Sequence, residues 1–401
     1  MSASVSSPDV HAEHEEYHDD IIYPDTIPFV LVHLACFAAI WTGVTWQAVA
    51  IGVSLYFLRM FGATAGYHRY FSHRSYKTSR FGQFLLAILA QSTAQRGVIW
   101  WAAKHRHHHR HSDTPLDVHS PRHRGFWYAH VGWIFSKREE ETDYSTVQDL
   151  MKYPELVWLN DHPYFVPALL AVACFLVAGW PGLVVGFFWS TVVLYHGTFF
   201  INSLAHVHGK QRYLTGDDSR NNWWLAIITL GEGWHNNHHA YQSSTRQGFR
   251  WYEFDPTYYA LKVLSWTRLI WDLRDPPKDV VKGERAPGRA VVEKVARQLA
   301  ATFPVEKWSG QLQELCAQAP TLHELRERLR AAGGRAEAIL AELQSHLPQL
   351  PPIPTVEEIR ARALEMYEHS PSLDRVVERA REILLQKLVD RLMEQPMTQG
   401  A

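Results

Sequence analysis

Between Thr26 and Leu58 the chain carries no Asp, Glu, Lys or Arg, and between His162 and Gly209 again none. A bilayer-spanning helix takes about 20 apolar residues, so each stretch is too long for one ordinary buried helix and fits a pair of spans. Cysteine is nearly missing: Cys36, Cys174 and Cys316 stand far apart, without the paired spacing of a zinc ribbon or a redox CxxC. Residues 1–25 contain no Lys or Arg, the reverse of a secretory signal's basic start, and are expected to form a disordered, retained acidic tail. Neither sign of charge dominates, because 40 Lys and Arg meet 41 Asp and Glu, and nothing in that balance points to a nucleic acid.

The first apolar block can turn near Trp41–Trp46, giving spans at about 27–45 and 47–66. The second can turn at Ala178–Gly182, where Pro and Gly break a helix, giving spans at about 163–180 and 183–206. With both turns facing outside, every Lys and Arg lies on the opposite side, as the positive-inside rule expects, and the segment 67–161 is cytoplasmic with both termini. Residues 81–95 are also uncharged but too short to cross, so they are expected in the interface. Beyond about Lys282 the composition turns charged and helical, with capping boxes at Thr321–Glu324 and Thr355–Glu358 and breaks at Gly333–Gly334 and Leu350–Pro354. The expected fold class is an all-α membrane protein. It has four transmembrane helices in two hairpins and a cytoplasmic helical cap within residues 26–281, followed by a soluble helical extension over 282–401.

Histidine is the abundant oddity, with 24 in the chain. Lys104 to Asp113 reads "KHRHHHRHSD", and imidazole, mostly neutral near pH 7, is the commonest metal ligand. His105, His108 and His109 repeat the H-x-x-H-H pattern of His235, His238 and His239, which on a helix places three rings on one face. His68 and His73 lie five residues apart, roughly 140° around an ideal helix, and suit two metals or a helix end. Asn202 and His206 fall at i and i+4 near the end of the fourth span. Nine imidazoles and one amide on one side of such a topology suit iron, copper or zinc, and two metals better than one.

These pieces together resemble the integral-membrane fatty acyl desaturases of the stearoyl-CoA (delta-9) type. "TAGYHRYFSH", "HRHHH", "RGFWYAHVGW", "NSLAH" and "GEGWHNNHH" stand in that family's order across about residues 25–275. The resemblance implies a diiron centre held by His68, His73, His105, His108, His109, His206, His235, His238 and His239, with Asn202 reaching a metal through a water. It implies O2 as co-substrate and a cis double bond, typically delta-9, in a saturated long-chain acyl thioester, acyl-CoA. Such a reaction needs a redox metal because an alkyl C–H offers no acidic proton for a general base. Gln95, Trp101 and Thr198 match the family's bend of the acyl tunnel, and Lys137 and Arg138 match basic residues that meet the carrier's phosphates.

Ala103 and Lys104 stand where the animal enzymes carry an Arg-Asp pair that engages CoA, and Arg96 replaces an Asn. The carrier therefore stays open among CoA, acyl carrier protein and phospholipid. Asp113, Asp117 and Glu232 are candidate acceptors that fix ligand tautomers. His107 and His111 fall outside the shared pattern, the residues between the ligands add basic surface, and His33, His119, His123, His130, His162, His196 and His208 are read as structural or interfacial. No His-Pro-Gly-Gly haem loop is present, so electrons are expected from a separate ferredoxin, rubredoxin or cytochrome, and a bacterial inner membrane is the expected location. The extension from 282 either docks that donor, covers the cytoplasmic face or is an inert helical appendage. The rival readings are a histidine-box hydroxylase of the alkane or carotenoid type and a membrane metal carrier.

Overall fold

The computed structural model describes residues 26–136, 141–318, 354–366 and 373–393. The acidic tail 1–25, Lys137, Arg138, the Thr321–Glu324 box and the Gly333–Gly334 break lie outside the described residues. The chain divides into two units, Met1–Ser72 with Ser79–Ser203, and His73–Thr78 with Leu204–Ala401.

The first unit is helical. Ile27–Ala35 continues through Cys36–Ala38 into Ala39–Thr42 and stops at Gly43, so the helix of the first apolar block breaks within Trp41–Trp46. Thr45 then caps Trp46–Phe61 by accepting from the Ala48 N–H at 3.2 Å. Two stretches are apolar and long enough to cross a bilayer, Trp46–Ser72 and Phe165–His206, whereas Ile27–Thr42 is a shorter apolar helix. Two such stretches stand where four spans are expected, but the longer one is folded back on itself. Ala178 and Gly179 leave the helical region, and a Cβ on Gly182 would lie 2.3 Å from the Cys174 carbonyl oxygen. Eight residues along a straight helix separate such atoms by about 12 Å, so the chain reverses at the Ala178–Gly182 turn.

Small residues let the two long apolar stretches touch. A Cβ on Gly52 would lie 2.9 Å from the Val185 carbonyl oxygen, and one on Gly186 3.0 Å from Ile51 Cγ2, the close backbone approach by which helices associate in lipid. One cation is built into this contact. Arg59, fully buried, donates to Thr191 Oγ1 at 2.8 Å, Ser190 Oγ at 2.6 Å and the Ser92 carbonyl at 3.2 Å, joining three helical segments through neutral acceptors. The outer faces carry Leu34, Phe37, Ile40, Leu169, Leu176 and Val177 exposed, with Trp41, Trp46 and Trp180 at the turns. Apolar faces rimmed by tryptophan at their ends are those of a membrane protein.

Among the described residues, the second unit departs from the all-α expectation: Lys77–Thr78 pairs antiparallel with Ile270–Trp271, and isolated bridges join Lys210 to Asn221 and Asn221 to Trp234. Its C-terminal part forms a helical core of its own, in which Val295, Leu299, Ile359, Val376, Ala380 and Leu384 are buried together. The expected capping box forms reciprocally, Thr355 Oγ1 accepting from the Glu358 N–H at 3.2 Å and Glu358 Oε2 from the Thr355 N–H at 2.8 Å.

Arg379 and Arg297 tie Glu293 across this bundle. Their hydrogen bonds, that of Arg379 first, hold its carboxyl at about 2, below its ordinary 4.5. A carboxyl depressed in the folded state adds stability that is complete above about pH 4.5 and is lost as pH falls towards 2. Glu293→Gln is expected to lower the melting temperature modestly at pH 7, since exposed pairs contribute little. The gap from the unaltered chain should close between pH 4.5 and 2, as read by circular dichroism of the full chain. A gap independent of pH would exclude the ion pair as its source.

Candidate metal centre

In the first unit, two helical segments bring imidazoles together. Trp46–Phe61 runs on into a π-helical segment, Gly62–Ser72, that carries His68; the widened i→i+5 turn is a frequent mark of functional sites. Val98–His111 carries His105, His108 and His109. The His68 and His105 rings meet edge to face with centroids 4.6 Å apart, and His105 Nε2 lies 2.9 Å from His109 Nε2. One ligand nitrogen from each of His68, His105 and His109 lies within 4.8 Å of the others.

His108 is held differently. Its Nδ1–H donates to Asp117 Oδ1 at 2.8 Å, and Asp117 is fixed in turn by the Asp113 N–H at 2.7 Å on its other oxygen. Burial works against the Asp117 charge, but the His108 ring, its hydrogen bond, His119 and the Asp113 amide together keep the carboxyl well below the usual carboxylate range. Asp117 therefore stays an acceptor at physiological pH, commits Nδ1 of His108 as donor and leaves Nε2 as the ligand atom.

The second unit repeats the device. His235–Ala240 is a short buried helix carrying His235, His238 and His239. His239 Nδ1–H donates to Asp217 Oδ2 at 2.8 Å. Thr215 Oγ1 at 2.7 Å and Ser219 Oγ at 2.5 Å donate to the other oxygen of Asp217. Burial opposes the Asp217 charge, yet the His239 ring and its hydrogen bond, with His206 and Ser219, hold the carboxyl well below its usual value. His206 Nε2 faces His235 Nε2 at 3.0 Å, and ligand nitrogens of His206, His235 and His239 lie within 4.8 Å of one another. The His73 and His238 rings meet at 4.6 Å.

The two asparagines between these histidines hold the helix in place. Asn236 Oδ1 accepts from the Arg212 and Tyr213 N–H groups, both at 2.7 Å, while its amide donates to the Tyr213 carbonyl at 3.1 Å. Asn237 donates to Glu253 Oε2 at 2.8 Å and to the Gln247 carbonyl at 2.9 Å, and accepts from Asn221 Nδ2 at 2.7 Å. Arg212 pairs with the same Glu253. A helix of six residues cannot hold itself, so this buried amide network fixes the direction of its imidazoles.

Several expectations are corrected here. The helix Ser190–Asn202 ends at Ser203, and His206 stands at the end of a separate 3-10 turn, Leu204–His206, so Asn202 and His206 do not share a helical face. Arg106 is no basic surface. It donates to the Phe71 and Ser72 carbonyls at 2.8 and 3.0 Å and pairs with Asp149, clamping the end of the π-helix. Asp113 contributes its amide to Asp117 and accepts from Ser120 Oγ at 2.7 Å, while the carboxylate on His239 is Asp217, which the sequence reading did not name. Glu232 is buried just ahead of the short helix.

The three residues assigned to a tunnel bend come together. Gln95 Nε2 donates to Thr198 Oγ1 at 3.0 Å, and the Trp101 indole N–H donates to Gln95 Oε1 at 3.3 Å. Trp101 is stacked between Tyr67 at 5.1 Å and His105 at 4.9 Å. Thr198 also donates to the Tyr195 carbonyl at 2.9 Å, in its own helix.

Imidazole nitrogens oriented by buried carboxylates suit a first-row transition metal such as iron, and two further imidazoles, His68 and His206, stand at the ends of the long apolar stretches. The class defined is a membrane protein with histidine-built metal sites. The fatty acid desaturase family profile matches residues 44–265. An acyl-CoA 5-desaturase of Anemone leveillei is 37% identical over 249 residues, 61% of this chain and 77% of the relative. An sn-1 stearoyl-lipid 9-desaturase of Anabaena variabilis is 36% identical over 248 residues, 61% of this chain and 91% of the relative. A palmitoyl-monogalactosyldiacylglycerol delta-7 desaturase of Arabidopsis thaliana is 38% identical over 235 residues, 58% of this chain and 63% of the relative. The chain belongs to the fatty acid desaturase family, whose members are iron-using oxidoreductases of acyl chains.

Asp117→Asn and Asp217→Asn each replace a carboxylate that commits a ring nitrogen. Each is expected to weaken iron binding about 10–100-fold with the helical content unchanged, measured as iron retained after equilibration with graded ferrous iron. Unaltered retention in both would remove the orienting role.

Proposed function

We propose that this chain is an O2-dependent desaturase that places a cis double bond, at delta-9, in a saturated long-chain acyl-CoA. In this reading His68, His73, His105, His108, His109, His206, His235, His238 and His239 ligate two irons, with Asn202 acting through a water. Bound iron supplies the chemistry that side chains lack, reductive activation of O2 strong enough to take hydrogen from an unactivated methylene. Electrons come from a separate ferredoxin, rubredoxin or cytochrome, and the membrane is a bacterial inner membrane with the site on its cytoplasmic side.

The reading rests on the Gln95–Thr198–Trp101 chain. These polar groups bond to one another, so toward a passing acyl chain they offer a neutral wall with little to desolvate. The Trp101 ring lies on His105, so a methylene held against the indole sits beside an iron ligand. Holding the reacting carbons in place is where such a site gains rate. Lys137 and Arg138 would meet the CoA phosphates.

A glycerolipid-bound acyl chain is the second reading. Ala103 and Lys104 in place of the CoA-engaging pair favour it, as does the sn-1 stearoyl-lipid 9-desaturase among the relatives. Expression in a host without monounsaturated lipids, with gas chromatography and mass spectrometry of the acyl pools, tests both. New delta-9 monoenes first in acyl-CoA support the proposal, and first in intact glycerolipid the second reading. Hydroxylated chains would indicate a hydroxylase, and metal uptake with no new product a carrier.

Gln95→Leu, which breaks the chain of hydrogen bonds at its centre, is expected to spread the double bond over neighbouring positions and lower turnover about tenfold or more. An unchanged product at an unchanged rate would remove these residues from the substrate path. Deletion of residues 290–401 is expected to weaken turnover with the native donor while leaving turnover with an artificial reductant intact. Equal loss with both would place the extension's role in folding.

A further inference from the structure

Three histidines read from the sequence as structural form one hydrogen-bonded line in the first unit. His33 Nδ1 lies 2.8 Å from the Phe29 carbonyl, His33 Nε2 3.3 Å from His196 Nε2, and His196 Nδ1 3.0 Å from His130 Nε2. His130 Nδ1 lies 3.0 Å from Ser203 Oγ, and Ser203 Oγ lies 3.0 Å from the Phe199 carbonyl, four residues back in its own helix. The line runs from the half-buried His33 and His196 to the buried His130 and the fully buried Ser203.

Counting hydrogens fixes its states. A carbonyl only accepts, so His33 carries its proton on Nδ1. With all three rings neutral, a single pattern satisfies every contact: His196 Nε2–H donates to His33, His130 Nε2–H donates to His196, and Ser203 O–H donates to His130 Nδ1. One added proton reverses the far end. His130 Nδ1–H then donates to Ser203 Oγ, and the hydroxyl turns to the Phe199 carbonyl. The added charge can rest on His33, His196 or His130 with every contact still holding one hydrogen, because moving it shifts hydrogens only along existing bonds. A second proton would place two hydrogens in one contact, so the capacity is one.

The surroundings suit a mobile imidazolium. Phe29 lies 4.4 Å from His33 and Phe200 4.6 Å from His130, with Phe126 stacked on His130 at 5.8 Å, and ring faces attract a cation without trapping it as a carboxylate would. Tyr195 also faces the line, stacked on His33 at 6.3 Å. Among the described residues none of the three rings pairs with a carboxylate, Lys or Arg.

We propose that His33, His196 and His130 form a shared one-proton site, a wire that ends on Ser203 and delivers protons to the buried end of the helix Ser190–Asn202. Its use rests on the desaturase reading. One O2, two hydrogens from the acyl chain, two electrons from a one-electron protein donor and two protons give two waters and the alkene, and those two protons must be brought to the site. At each delivery the Ser203 hydroxyl turns from the Phe199 carbonyl, which cannot relay a proton, to an acceptor water supplied from the metal site; its proton passes to that water, the His130 Nδ1 proton moves to Oγ, and the rings return to the neutral pattern.

The test compares the full chain in lipid nanodiscs with the triple variant His33→Phe/His130→Phe/His196→Phe. Titration from pH 8 to 4.5 is expected to show one proton fewer bound by the variant; a difference of three protons or of none overturns the shared site. In the unaltered, 15N-histidine-labelled protein, N–H···N couplings between His33 and His196 and between His196 and His130 should persist at both ends of the titration. That measurement stands even if the variant does not accumulate, and loss of the couplings on proton uptake also overturns the proposal. In the iron-loaded enzyme His196→Phe should lower turnover about tenfold or more with iron content unchanged, and unchanged turnover overturns the delivery role. A chain that desaturates no acyl substrate would refute the reading above while the titration and couplings still report on the wire.

Discussion

A metal can use one nitrogen of an imidazole only when something else decides the state and direction of the other. In this protein that decision is made by buried carboxylates on His108 and His239, at 2.8 Å each. Both carboxyls are buried, which by itself would favour the neutral acid, and both nevertheless stay charged because the ring they hold repays the desolvation. The pairs are thus mutually dependent. A neutral acid could present its own proton to the ring and turn the other nitrogen from ligand to donor.

Much of the surrounding structure serves to keep those directions. The helix Val98–His111 is long enough to hold three rings on one face unaided, and it is anchored through Arg106 to the end of the π-helix that carries His68. The helix His235–Ala240 is too short for that and is held by Asn236 and Asn237, whose side chains bond to three other segments of the second unit. The same H-x-x-H-H pattern is therefore stabilised in two ways, one by helix length and the other by amide hydrogen bonds. Substitution of either asparagine by an apolar residue would leave several buried amide and carbonyl groups without partners, a larger cost than the bonds' net contribution.

The sequence was most readable where one chemical rule governs. Charge-free runs marked the apolar stretches, Pro181 and its neighbouring glycines marked the turn in the second, and Thr355 with Glu358 marked a cap that forms as expected. Histidine spacing marked both helices that carry the H-x-x-H-H pattern. Contacts between distant residues left no such trace: Asp217 lies 22 residues before His239 in a turn rich in polar residues, and its carboxylate resembles any solvated Asp until the fold buries it. Arg106 was misread for the same reason, since a cation inside a basic run looks like surface unless backbone carbonyls are known to converge on it. The break at Ser203 that separates Asn202 from His206 was hidden because a 3-10 turn after an α-helix keeps the same composition.

In lipid, where water cannot stand in, every polar group must find its partner inside the protein. The spans obey this with almost no ionised partners. Arg59 is satisfied by serine and threonine hydroxyls and a carbonyl, and Gln95, Thr198 and Trp101 satisfy one another. An interior built this way contains few fixed counter-charges, so an apolar chain can lie in it without displacing an ion pair. Histidine recurs within these segments, and near neutral pH it can gain or lose a proton while keeping its hydrogen bonds. That property explains why imidazole, rather than Asp, Glu or Lys, occupies the positions where the apolar blocks must still carry polar chemistry.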